Sequence, residues 1–179
     1  QALSAHLAFL DVAADGIRLT QSAYLPPAIV RAITPRLPTM RDWRPAIERE
    51  SHAQPVLYFR EHLIEVGLLR KAHGTLVLTV AGARGRTDSD WLWMRLAERL
   101  VPARRKFDGL AIALILLHVA TSASRRPNLD VIADTASALG WKHAGGKPVT
   151  RNDVQWLWND VWAGLGNVGL PVADGSMSR

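Results

Sequence analysis

The chain has 179 residues, 48% of them apolar and 21% charged, with no cysteine and a formal net charge of +6. That balance excludes a disordered polar chain, and the missing cysteines exclude disulfide frameworks, thiolate metal sites and cysteine nucleophiles. It fits one large or two small domains with real cores in a reducing compartment, the cytoplasm by default.

The charge is uneven: residues 17–106 hold 16 Lys and Arg against 8 Asp and Glu, residues 1–16 carry −2, and residues 107–179 balance at six of each. A localised positive field of +8 favours polyanions, although an arginine-rich solvated surface accounts for it equally well. The chain opens on Gln1 with no signal-peptide core before Leu10, as expected of a fragment whose upstream domain is missing. The longest apolar run, residues 110–123, contains His118, Thr121 and Ser122. It falls short of the roughly 20 residues that cross a bilayer, so no membrane association is expected.

Leu3, Leu7 and Leu10 recur at helical spacing, which predicts a helix over residues 2–13 closed by the Asp15-Gly16 turn. Ile17-Arg18-Leu19-Thr20 alternates as a short strand does. Ser22 can cap the next helix, with Pro26-Pro27 in its first turn and Ala28, Ile29, Ala32 and Ile33 on its apolar face. Pro35 and Pro38 end it, and a short helix follows in residues 42–50 with Trp43 and Ile47 inward. Pro55 opens a third helix with Val56, Phe59, Leu63, Ile64 and Val66 on its apolar face, Arg60, Glu61 and Glu65 on its polar side, and Gly67 as its stop. Residues 68–79 then read as a β-hairpin turning at Gly74, and the glycines of residues 82–86 let the chain leave it. Helices follow from Asp88 or Ser89 to Pro102, over residues 108–122 and 129–139, and after Thr150, where Asp153 stands at capping-box spacing.

The fold expected is mainly α with a small β-hairpin, in two domains. Residues 1–105 form a winged helix-turn-helix unit with flanking helices, because strand, three helices and hairpin follow one another within about 65 residues. Residues 106–179 form a second helical unit. A shift of 102 residues places Val66-Gly67-Leu68 on Val168-Gly169-Leu170, which leaves open a degenerate repeat of the first. In a winged helix on double-stranded DNA, the start of the third helix enters the major groove, so Gln54, Tyr58 and Arg60 face bases or phosphates. Arg70, Lys71, His73, Arg84 and Arg86 then supply phosphate contacts from the wing and its flank. Glu61 and Glu65 oppose this, and the alternative is a protein–protein interaction module that packs into a homodimer or interdomain surface with no nucleic-acid role.

The third helix and hairpin resemble the recognition helix and wing of many bacterial regulators, through Gly67, Arg70-Lys71 and Leu76-Val77-Leu78-Thr79. Gly16-Ile17-Arg18-Leu19-Thr20, the segment Ala23-Tyr24-Leu25-Pro26-Pro27-Ala28-Ile29-Val30 and the Gly67 to Thr79 stretch further resemble the C-terminal region of the actinobacterial plasmid open-reading-frame-3-like, insertion-sequence-associated proteins. The resemblance is best over residues 16–100. It implies an association with mobile elements and DNA binding, and it supplies no catalytic residue.

No motif for enzymatic chemistry stands out, and neither a cofactor nor a metal site is expected. No histidine has a second one at i+3 or i+4, and residues 82–86 lack the Gly-Lys-Ser/Thr ending of a phosphate loop. Asp88 and Asp90, or Asp130 and Asp134, are better read as helix starts than as metal-binding pairs. Of the seven tryptophans, Trp91, Trp158 and Trp162 lie on apolar helix stripes and are expected in the core, whereas Trp93 and Trp156 fall off them and are expected at the surface.

Overall fold

The computed structural model describes residues 2–41, 48–101, 106–122 and 127–168. They form a mainly α protein with a small three-stranded antiparallel sheet, in the order α1 (Ser4–Val12), β1 (Ile17–Arg18), α2 (Pro27–Ile33), α3 (Gln54–Glu65), β2 (Leu69–Ala72), β3 (Thr75–Leu78), α4 (Val80–Thr87), α5 (Ser89–Leu100), α6 (Lys106–Thr121), α7 (Leu129–Ala138) and α8 (Arg151–Leu165). Two compact units result. One runs to Glu98 and takes back the segment that begins at Trp162; Arg99–Val161 builds the other. This differs from the expected division at residue 105 chiefly in that the last turn of α8 belongs with the first unit.

In the first unit, β3 lies between β1 and β2, with Ile17 opposite Leu76 and Leu69 opposite Leu78. Opposed residues share a face, so Ile17, Leu76, Leu78 and Leu69 point inward and Arg18, Thr75, Val77 and Arg70 outward. The inward face meets Phe9 and Leu10 of α1 and Val56, Phe59 and Leu63 of α3 in one core. His6 and Phe9 both meet Phe59 edge-on, with ring centroids 4.9 and 5.9 Å away, a geometry suited to aromatic quadrupoles. His73 and Gly74 turn the hairpin with φ of 49° and 74°, the pair of left-handed residues that a two-residue loop between right-twisted strands requires. Gly67 ends α3, and the Leu68 amide donates back to the Leu63 carbonyl at 2.9 Å.

Several expectations change. Pro26, not Ser22, is the residue before α2, no side chain caps that helix, and its buried residues are Val30 and Ile33, with Ala28 and Ala32 outside. The helix expected in residues 42–50, with Trp43 and Ile47, lies outside the described residues apart from its end, where Glu50–His52 makes a single 3-10 turn. Residues 82–86 are helix rather than an exit loop. Thr79 sets this up: its hydroxyl accepts the Gly82 amide at 3.0 Å, capping α4, while it donates to the Gly67 carbonyl at 2.6 Å. A Cβ on Gly82 would lie 2.0 Å from the Leu68 carbonyl oxygen, so the glycine serves close approach of the helix to the start of the hairpin and not chain departure.

In the second unit, buried apolar side chains come from α6 (Ala111, Ile112, Ile115), α7 (Leu129, Ile132, Ala133, Ala136) and α8 (Val154, Leu157, Val161). Asn128 caps α7 by accepting the Asp130 and Val131 amides. Asp153 reaches back to accept the Thr150 amide at 2.8 Å, as the capping-box spacing predicts. Between α7 and α8, Lys142 and Pro148 form an isolated antiparallel bridge. A wing-like hairpin after α8 would fall in residues outside the described ones.

Candidate nucleic-acid interface

The structure divides the residues singled out for DNA contact into three groups. Gln54 and Tyr58 are exposed at the start of α3, one turn apart, so they share a face. Continuing along that face come the exposed Glu61 and Glu65, which makes its second half acidic.

Arg60 is not on that face. It is 2% exposed, and its Nε donates to Glu50 Oε1 at 2.7 Å. The other Glu50 oxygen accepts the Leu25 amide, also at 2.7 Å. A charge taken out of water needs an ionic partner, and Glu50 supplies it across ten residues, while Arg60 Nη1 is buried with no hydrogen-bond partner among the described residues. The Tyr-Leu-Pro-Pro segment thereby gains a role beyond starting α2: the Leu25 amide helps to satisfy the buried carboxylate that anchors α3. The assignment of Arg60 to a phosphate or base is corrected, because its guanidinium is committed to the interior.

The cations of the hairpin and α4 differ in how free they are. Lys71 Nζ bonds Glu61 Oε1 at 3.0 Å, and Arg60 Nη2 lies 3.2 Å from the same oxygen; Lys71 therefore neutralises part of α3's acidic half and is not a free cation. Arg84 stands 4.8 Å over the Trp91 ring and 3.7 Å from Asp88. Arg86 lies 3.8 Å from Asp11. These two pairs are exposed and weak, so both guanidiniums remain open to a stronger anion. Arg70 and His73 are exposed, and among the described residues no ion pair holds either. Sequence reasoning missed Arg18 as a candidate, although the alternation of residues 17–20 carried the signal. Its outward position on β1 sets it on the same sheet face as Arg70.

Of the tryptophans, Trp93 is 43% and Trp156 69% exposed, as expected of positions off the apolar stripes, whereas Trp162, expected in the core, is only partly covered at 37% exposed. Among the described residues no group of three or more His, Cys, Asp or Glu stands close enough to hold a metal ion. None of the helices there is long and apolar enough to cross a membrane. No family model, no curated protein and no solved structure matches the chain.

Proposed function

We propose that the first unit is a non-enzymatic module that binds double-stranded DNA in the winged-helix manner, within a cytoplasmic regulatory or mobile-element-associated protein that acts as a homodimer. The observation that carries this reading is the exposed Arg70, free of any ion pair among the described residues, and the exposed His73 on a hairpin that directly follows α3, with Arg84 and Arg86 close by in sequence on α4. The sheet order β1-β3-β2, in which the strand before the helices joins the hairpin, also supports it. Gln54 and Tyr58 are the α3 side chains left to meet base edges or phosphates. The neutralisation of Glu61 by Lys71 lowers the repulsion that a phosphate backbone would meet there.

Fluorescence anisotropy with a random-sequence duplex, read across a salt series, tests this. Binding is expected to weaken steeply with salt, and Arg70→Ala/Arg84→Ala is expected to flatten the slope by about one unit for each phosphate that no longer meets a guanidinium. No binding at low salt sinks the reading. A second reading, an interaction module with no nucleic-acid role, rests on α5, where the successive residues Trp93 and Met94 are both exposed, Met94 at 57%. Light scattering of wild type and Trp93→Ala/Met94→Ala separates the two: that reading requires a wild-type oligomer that the substitutions dissociate.

A further inference from the structure

We infer that the outer face of the three-stranded sheet is a further seat for the DNA backbone, beyond the α3 contacts, gripped by Arg18 from one edge strand and Arg70 from the other. This rests on the DNA-binding reading above and adds to it where the duplex lies. The register fixes the arrangement: Arg18 is opposite Thr75, and Arg70 is opposite Val77, on the central strand β3. The two arginines therefore stand on one face, diagonally across β3. Strand spacing and rise put their Cα atoms about 12 Å apart, two strands over and one pleat repeat along.

Between them the side chains are short. Thr75, Val77 and Ala72 make a low floor, and the Gly16 backbone closes its side, where a Cβ would stand only 3.1 Å from Thr75 Cγ2. Both arginines are exposed, and among the described residues neither has an acidic partner. Elsewhere on this unit's candidate interface Arg60 is held by Glu50 and Lys71 by Glu61, while Arg84 and Arg86 have only long, exposed contacts with Asp88 and Asp11. An unneutralised pair flanking a shallow floor lacks the deep pocket that a small ligand needs and the apolar area of a protein-docking face. It does fit an extended backbone of regularly spaced negative charge, which two guanidiniums engage through parallel N–H donors. The partner chemistry is the phosphate backbone of a duplex, contacted without base readout.

The test compares wild type, Arg18→Gln, Arg18→Lys, Arg70→Gln and Arg36→Gln, the last an exposed arginine outside the sheet, on two unrelated duplexes over a salt series. Melting curves confirm that each variant folds. The expected result is that Arg18→Gln and Arg70→Gln weaken binding to both duplexes alike and each flatten the salt slope by about one. Arg18→Lys should keep most of the slope, and Arg36→Gln should match wild type. If wild type binds but Arg18→Gln behaves as Arg36→Gln does, the sheet-face assignment is overturned while the DNA-binding reading stands. If wild type binds neither duplex, both are overturned. Weakened binding to one duplex only would mean base readout at this face and also overturns the assignment.

Discussion

Arg60 and Arg70 are ten residues apart and are put to opposite uses. Arg60 sits on α3 inside the first unit, bonded to Glu50, whereas Arg70 stands on the outer face of the hairpin with no acidic partner among the described residues. The histidines repeat the contrast: His6 is fully buried against Phe59, and His73 is exposed at the hairpin turn. A cationic or titratable side chain thus says little about function until its partner is known. The interior members hold the unit together and the exterior ones are free to meet an anion.

The sharpest way to break this contrast is to remove the interior partner. Glu50→Ala leaves the Arg60 guanidinium without its buried counter-charge, with only the half-exposed Glu61 beside Nη2, and is expected to cost about 3 kcal/mol in urea unfolding, in the usual range for a broken buried pair. Arg70→Ala should cost less than about 0.5 kcal/mol, as surface substitutions do. If Glu50→Ala is as mild as Arg70→Ala, Arg60 is not the interior charge described here. Of similar size is Gly82→Ala. Its Cβ would meet the Leu68 carbonyl oxygen at 2.0 Å, so α4 must move away from the Leu68 backbone, at an expected cost of about 3 kcal/mol by overpacking. Because α4 carries Arg84 and Arg86, that shift also tests whether DNA affinity depends on where the helix sits. A destabilised variant that still folds but binds as wild type does would remove α4 from the interface.

These particular residues also mark what the sequence could tell. Alternation in residues 17–20, the helical period of residues 54–66 and the Gly74 turn are local patterns, and the strand, helix and hairpin that they predict are present. The burial of Arg60 was not legible, because a helical wheel places it on the polar side and only the fold brings Glu50 and the Leu25 amide to it. The glycines of residues 82–86 misled for a similar reason. Taken locally they weaken a helix, but Gly82 is required by the Leu68 backbone and Thr79 caps the helix start, both tertiary facts. Gln54, Tyr58, Arg70 and His73 were legible as exposed polar positions. Arg18 was legible as an outward strand residue, but its pairing with Arg70 across one face depends on β1 joining β3 rather than β2.

A smaller expected effect than that of Gly82→Ala is the acid response of His6. Burial, helped by the neighbouring His62, lowers the His6 pKa to about 3, and burial lowers that of His62 to about 4. Both ring nitrogens of His6 lack a hydrogen-bond partner among the described residues, so nothing there stabilises the imidazolium. In the unfolded chain His6 takes up a proton below about pH 6.5; in the folded protein it does so only near pH 3. The unfolded state therefore binds more protons between those values, and stability falls as the pH drops through that window. At pH 5 the loss from His6 alone is about 2 kcal/mol relative to neutral pH, from 1.36 kcal/mol per pKa unit. His6→Phe keeps a ring against Phe59 and has nothing to protonate. It should match or exceed wild-type stability at pH 7 and lose about 2 kcal/mol less on going to pH 5, measured by urea unfolding at both values. Parallel losses in the two proteins would mean that position 6 is not sealed from solvent, and the contrast between a buried, neutral His6 and the exposed cations of the sheet face would fail.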